Sequence, residues 1–232
     1  MTDLDILEGQ IILLDKPLDW TSFQAVNKLK YKLKNEFGLP KKFKIGHAGT
    51  LDPKATGLLI ICTGKKTKTI SEIQNAPKEY QVEIKIGAQT ISYDTEQPEI
   101  ELKDISIISE TEILATLEKF KGEILQKPPV FSAIKIEGNR AYDLARKGVE
   151  VEMKSRSTTI NYIENLEINL PFISFTVGCS KGTYIRSLAH DIGEDLGVGA
   201  YLTKLRRTKI GEYCIENASS KYLETDFRFN EE

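Results

Sequence analysis

The chain reads as an α+β protein, a mixed and mostly antiparallel sheet with flanking helices. Three observations carry that reading. Tyr80, Val82, Ile84 and Ile86 alternate with Gln81, Glu83 and Lys85, the period of a strand with one wet face. Strand-like runs at 132–136, 149–153, 158–167 and 172–179 follow one another with no helical pattern between them. Segments near 22–37, 111–120 and 183–196 carry apolar stripes at helical spacing and cover the sheet.

Taken in chain order, Gly9 to Leu14 is a short apolar strand that delivers Asp15-Lys16-Pro17. Thr21 opens a helix, with Gln24 three residues on completing a capping box. Phe23, Val26, Leu29, Leu33 and Phe37 form its stripe, and Gly38-Leu39-Pro40 stops it. Gly57 to Cys62 is a buried strand, and Ser109 with Glu112 caps the next helix. Gly138-Asn139 marks a turn. In the best helix of the second half, Ile185, Leu188, Ala189, Ile192 and Leu196 share a face, and Gly197 ends it. No repeat, low-complexity tract or linker interrupts the chain, so residues 1–232 are expected to form a single domain.

Composition is that of an ordinary soluble globular protein, 40% hydrophobic and 28% charged. The acidic start Met1-Thr2-Asp3-Leu4-Asp5 lacks a signal-peptide core, and the longest apolar run, Leu58 to Cys62, is too short to span a bilayer. Cys62, Cys179 and Cys214 are odd in number and far apart, which argues for reduced thiols in a cytoplasmic protein. With His47 and His190 the only histidines, no metal site is expected. The net charge of −2 conceals a local imbalance. Between Lys28 and Lys68, eleven lysines face only Glu36 and Asp52, a balance of +9, and Lys204, Arg206, Arg207 and Lys209 form a second basic cluster. Phosphates are neutralised locally, so these clusters point to a polyanion docking face, against the alternative of two solvated surfaces.

The loop Gly46-His-Ala-Gly-Thr-Leu-Asp52-Pro-Lys-Ala-Thr-Gly-Leu-Leu59 carries the strongest chemical signal. Its glycines allow tight bends, and Pro53 pushes Asp52 toward an extended conformation, so the carboxylate is presented from a stiff loop. Taken alone, such a loop also reads as an ordinary connection. Other conspicuous segments are Lys16-Pro17, Lys78-Glu79-Tyr80, Gln126-Lys-Pro-Pro-Val-Phe-Ser-Ala133, Gly182-Thr-Tyr-Ile-Arg186 and Leu205-Arg206-Arg207-Thr208. Arg186 falls in the first turn of a helix, where a cation is poorly placed unless something anionic faces it.

Together the loop, the Gln-Lys-Pro-Pro segment and Gly182–Arg186 resemble the TruB-type tRNA pseudouridine synthases, which isomerise a uridine in the TΨC loop of transfer RNA. The resemblance runs from about Gly9 to Tyr213. It implies the pseudouridine synthase fold, no cofactor, tRNA (its T-arm) as partner, and no protein partner. Asp52 matches the family's catalytic aspartate, Arg186 its guanidinium partner and Tyr80 the ring that stacks on the flipped uracil. A desolvated carboxylate needs such a cation to stay ionised. His47 matches the histidine that contacts the surroundings of the extruded nucleotide; roles as a general base or a turn-stabilising imidazole stand beside that one. Leu205 matches an apolar wall of the uracil pocket, Tyr184 contributes through its hydroxyl, and Lys16 closes the first strand as a further substrate-binding candidate. His190 carries no family role and is structural or exposed. Bacterial members continue into a small PUA-like RNA-binding domain; with about twenty residues after Tyr213, that domain is expected to be absent or vestigial, and a monomer is the default. A non-catalytic RNA-binding module and an aspartate-dependent hydrolase are the competing classes. Asp52 and Arg186 disfavour the first, and the lysine clusters disfavour the second.

Overall fold

A computed structural model describes residues 2–132, 135–136, 139–141 and 152–219. The chain divides into two compact units, Met1–Lys78 with Arg206–Glu232, and Glu79–Leu205.

The first unit begins with a helix that sequence reasoning did not expect, α1 (Asp3–Glu8), capped reciprocally by Thr2 and Asp5. β1 (Ile11–Lys16) alternates strictly, and its buried face carries Ile12, Leu14 and Lys16. α2 (Ser22–Phe37) has the expected capping box of Thr21 and Gln24 and ends on Gly38 in the left-handed conformation. β2 (Ile45–His47) and β1 both pair antiparallel with β3 (Ala55–Thr63), which lies between β1 and β10 (Ala200–Ile210). β3 is buried on both faces, which explains its unbroken apolar sequence. Leu59 and Ile61 pack with Ile12, Leu14 and the α2 stripe of Ala25, Val26, Leu29 and Leu33. Leu58, Ile60 and Cys62 pack with Ile73 of α3 (Ile70–Asn75) and with Ile210. Buried Thr63 donates to the carbonyl of Ile6 and accepts from Gln10 N–H, fastening α1 to the end of β3. A 3₁₀ turn over Gly64–Thr69 links β3 to α3.

In the second unit the strand order is β10, β4 (Lys78–Ile86), β9 (Phe172–Cys179), β8 (Arg156–Asn169) and β5 (Gly122–Gln126). β4 (Lys78–Ile86) has the predicted alternation, with Tyr80, Val82, Ile84 and Ile86 inside. α4 (Glu110–Lys119) is capped by Ser109 and Glu112 as expected. β5 (Gly122–Gln126) pairs antiparallel with β8 (Arg156–Asn169), and β8 with β9 (Phe172–Cys179). α5 (Ile185–Asp195) buries Ile185, Leu188, Ala189 and Ile192, the predicted face. Asp195 at its end accepts from Thr116 and Lys119 of α4.

β10 (Ala200–Ile210) supplies Ala200–Leu205 to the second unit and Arg206–Ile210 to the first, where β11 (Tyr213–Cys214) pairs with its end. Sequence reasoning saw only a basic cluster here, because Lys204, Arg206, Arg207 and Lys209 break the alternation that would reveal a strand. The expected strand at 132–136 shrinks to β6 (Lys135–Ile136), paired with β7 (Asn139–Arg140), and Ser132 lies in a bend. Of the expected strand at 149–153, residues 149–151 and Gly138 of the expected turn lie outside the described residues, and residues 152–155 are not strand. Among the described residues no helix is long and apolar enough to cross a membrane. The fold class is the α+β arrangement expected, with antiparallel pairing of β1 and β2 with β3, β5 with β8, β6 with β7, β8 with β9 and β10 with β11.

One glycine is set by close approach. Gly57 sits at φ +101°, and a Cβ there would lie 2.3 Å from the carbonyl oxygen of Arg207 and 2.7 Å from its nitrogen. Backbone cannot retreat as a flexible side chain can, so Gly57→Ala is expected to lower the unfolding free energy by at least about 2 kcal/mol, combining overpacking with backbone strain. Urea unfolding measures this, and a loss below about 0.5 kcal/mol would mean β10 yields easily.

Candidate active site

The loop between β2 and β3 presents Asp52, half-buried and outside any helix or strand. Its shape is held by side chains from three other elements of the first unit. Alternation along β1 turns Lys16 inward, where its ammonium donates to the carbonyls of Trp20 (2.6 Å), Pro17 (2.9 Å) and Pro53 (3.4 Å). Ser22, at the first position of α2, accepts from the N–H of Leu51 (2.8 Å) and donates to its carbonyl (3.0 Å). Arg207 of β10, 2% exposed, donates from Nε to Leu58 O (2.8 Å), from Nη2 to Gly49 O (3.0 Å) and from Nη1 to Thr50 O (3.3 Å). The turn before α2 adds Asp19 N–H to Pro53 O (2.9 Å) and an ion pair of Asp19 with Lys54 (2.7 Å). Residues 49 to 54 are thus fixed from both sides, the condition under which a carboxylate keeps one geometry through a reaction.

Two buried cations therefore border the carboxylate's loop. Burial pushes the Lys16 ammonium down to about 8, while the charges of Asp52 and Asp19 pull it back up and Arg207 lowers it further. Lys16 is wholly buried and donates to backbone, so it positions the loop and does not reach outward to a substrate as anticipated. His47, half-buried in β2, is held below its ordinary value first by burial; the Gly49 backbone opposes this and the Arg207 charge adds to it. Its ring is accordingly neutral near pH 7, suited to packing against a base more than to holding a phosphate.

In the second unit, the segments that stood out in sequence are bonded to one another. Gln126, completely buried at the end of β5, donates to Tyr184 O (3.0 Å) and accepts from Tyr184 N–H (2.8 Å). Ser187 donates to Lys127 O (2.8 Å). Arg186, 5% exposed, donates to Phe131 O (2.8 Å) and Ser92 O (3.2 Å) and lies 3.6 Å from the carboxylate of Asp94. Asp94 is 3% exposed and accepts from Ser92 Oγ (2.6 Å) and Glu96 N–H (3.0 Å). An anion facing this helix-start arginine was required on electrostatic grounds, and within this unit Asp94 meets the requirement. The adjoining Tyr93 ring stacks on His190, centroids 4.0 Å apart and planes within 8°, so His190 is structural. Tyr80 is buried in β4, and Leu205 is half-buried in β10. Tyr184 is the residue before α5, with the Arg156 guanidinium 4.8 Å above its ring.

Much of the second basic cluster is engaged within the protein. Arg207 is buried, Arg206 forms a two-pronged pair with Asp15 (2.6 and 2.9 Å), and Lys204 pairs with Glu83 (2.9 Å). A strand whose charges meet acids on neighbouring strands leaves little field for a polyanion. Sequence reasoning missed Ser22 and Asp94, a serine at a helix start and an acid in a polar loop with no distinctive local signal, and read Arg207 as part of a basic docking cluster where the structure buries it against the Asp52 loop. Among the described residues no group of three or more His, Cys, Asp or Glu side chains gathers as a metal site.

A family model described as TruB family pseudouridylate synthase (N terminal domain) matches residues 34–185, and one for the tRNA pseudouridylate synthase B C-terminal domain matches residues 186–228. The tRNA pseudouridine synthase B of Flavobacterium johnsoniae is 59% identical over 218 residues, covering 94% of this chain and 95% of that protein. That of Phocaeicola vulgatus is 51% identical over 217 residues, covering 94% and 92%. Among solved structures, a Cbf5-Nop10-Gar1 complex matches with a TM-score of 0.66 at 33% identity, over 91% of this chain and 52% of that one. An H/ACA RNP bound to a substrate RNA containing 2′-deoxyuridine matches at 0.62 and 31% identity, over 90% and 49%. The chain thus spans about half the length of those two structural relatives.

The buried ammonium yields a pH test. Folded Lys16 sheds its proton near pH 8, against an ordinary value of 10.5. Between those values the unfolded chain binds more protons, so this group makes stability rise with pH; below about 8 its contribution is flat. Wild type is expected to gain stability relative to Lys16→Met from about pH 8 to about pH 10. A difference that stays constant across that window would show that Lys16 is not desolvated.

Proposed function

The chain belongs to the TruB family of pseudouridylate synthases, and we propose on that footing that it isomerises uridine to pseudouridine in the TΨC loop of tRNA, at position 55 of the standard tRNA numbering. It is an RNA-modifying isomerase, and the observation that carries the finer reading is Asp52, a half-buried carboxylate on a loop clamped by Lys16, Ser22 and Arg207. In the reaction the N1–C1′ bond of uridine breaks, C5 bonds to C1′, the C5 hydrogen leaves as a proton and N1 gains one. No electrons are exchanged with a second reactant, so the conversion balances without a cofactor. Asp52 attacks C1′, attacks C6, or takes the 2′ proton, and each route needs an ionised carboxylate in a fixed place. Arg186 and Tyr80 take the family's roles of cation for that carboxylate and ring against the uracil. His47, Tyr184 and Leu205 contact the nucleotide, and Lys16 holds the loop. A base cannot be reached while stacked, so the uridine is extruded.

Support for an RNA partner comes from the first lysine cluster. Lys42, Lys44, Lys65 and Lys68 line a concavity of about 340 Å³ together with Leu7, Phe43 and Gly64. None of these four lysines pairs with an acid among the described residues. Lys44 immediately precedes β2 and His47 ends it, so the concavity and the His47 end of the loop are separated by a strand of roughly 10 Å at about 3.3 Å per residue. That spacing suits a phosphodiester backbone running on from an extruded nucleotide.

Two expected outcomes test the reading. Wild type releases tritium from tRNA labelled at uridine C5, and Asp52→Asn lowers the rate by about three orders of magnitude or more; undiminished release would remove Asp52 from the chemistry. Alanine at Lys41, Lys42 and Lys44 weakens tRNA binding and flattens the dependence of log K on log salt by up to about 0.9 for each phosphate left without its lysine. An unaltered slope would take this segment out of the interface.

A further inference from the structure

Arg186, His190 and Glu194 follow one another at intervals of one helical turn along α5, so their side chains line one face of the helix. Each meets a different part of the same short segment, residues 89–94. The guanidinium of Arg186 donates to Ser92 O at 3.2 Å and faces the Asp94 carboxylate at 3.6 Å. The ring of His190 lies on that of Tyr93, centroids 4.0 Å apart. Glu194 accepts from the side-chain amide of Gln89 at 2.7 Å. One helix therefore holds Ser92, Tyr93 and Asp94 in succession, and the two outer residues both serve Arg186.

The strain in this segment sits at the middle residue. Tyr93 adopts φ +62°, a conformation that bulky side chains rarely take and that persists only where the surroundings fix it. Its N–H donates to Thr90 O at 3.2 Å, and its carbonyl accepts from Leu202 N–H at 3.0 Å. Glycine would make both bonds without the strain; what it would lack is the ring on His190. Nδ1 of His190 is buried with no hydrogen-bond partner among the described residues, so packing against Tyr93 orients the imidazole. Burial holds His190 below its ordinary value, against the pull of Glu194 and Glu101, and the neutral ring lies flat on the phenol near pH 7. Rotation about φ of Tyr93 turns the peptide carrying Ser92 O relative to the one leading to Asp94. Both acceptors can stay on the guanidinium only while that angle is kept.

We propose that His190 is a positioning residue for the reaction: by stacking on Tyr93 it locks the left-handed turn that keeps Ser92 O and Asp94 on Arg186, and so fixes the orientation of the guanidinium. The inference rests on the role of Arg186 in uridine isomerisation and deepens it. His190 acts through Tyr93 and takes no part in bond making.

The test uses the full chain and unmodified tRNA tritiated at uridine C5, under single-turnover conditions at saturating tRNA. His190→Ala and Tyr93→Ala are each expected to slow release about five- to tenfold, the loss of one aromatic stack, while affinity for tRNA stays within about twofold of wild type. His190→Phe and Tyr93→Phe restore the rate because each keeps a flat ring, whereas His190→Gln, polar but unable to stack, does not. In an Asp94→Ala background the loss from His190→Ala shrinks to less than about twofold, since the acceptor it positions is already gone. A histidine that only stabilised the fold would lower the melting temperature and slow both backgrounds by the same factor. Four results would overturn the proposal: rates unaltered by both alanine variants, a loss that phenylalanine does not recover, a loss undiminished on Asp94→Ala, or weakened tRNA binding at full rate. Wild type that releases no tritium at all would instead sink the isomerase reading, so the two failures are told apart.

Discussion

A guanidinium inside the protein gives the Asp52 loop its shape. Three carbonyls, those of Gly49, Thr50 and Leu58, converge on Arg207, which is 2% exposed. Carbonyls that point inward together repel one another and cost desolvation unless donors meet them, and a planar cation with five N–H groups satisfies several at once. The geometry needs the β10 backbone pressed against β3, which in turn needs Gly57 without a side chain. Lys16 makes a similar arrangement on the other flank, gathering Pro17, Trp20 and Pro53. A carboxylate suspended between two such anchors needs no reorganisation when charge moves near it, which is how preorganised polar sites stabilise transition states.

Much of this architecture was legible in the residues. Helices α2 and α4 announce themselves through capping boxes that the structure shows formed, and β4 through alternation that matches its burial. Both signals are local, set by side chains within a few residues of the backbone they control. The Asp52 loop was legible through its glycines and proline. β10 was not, because its charges are neutralised by Asp15 and Glu83, which are distant in sequence, and a periodicity reading cannot know of them. α1 escaped notice since six residues give too short a pattern, and its stability comes from Ile6 packing and the Thr63 tether.

The site residues divide along the same line. Arg186 was found through an electrostatic oddity, a cation at a helix start, whereas Asp94 that faces it sits in a loop of polar residues that looks solvated from sequence. Burial at 3% and 5% places both charges of this pair in low dielectric, where their attraction is screened little. Lysine and arginine counts do not distinguish the two clusters: Lys42, Lys44, Lys65 and Lys68 line a concavity, while in the second cluster Arg207 is buried and Arg206 and Lys204 are paired with acids. Charge totals record neither distinction.

Lys16 also has a use as a reporter. Its amine is easier to deprotonate than an ordinary lysine's, which would make it a good nucleophile toward acylating reagents, yet it has no accessible surface and its three hydrogen-bond acceptors are backbone. Labelling at that nitrogen therefore requires the loop to lift away, and its rate gives the opening frequency where acylation outpaces reclosing and the open fraction where it does not.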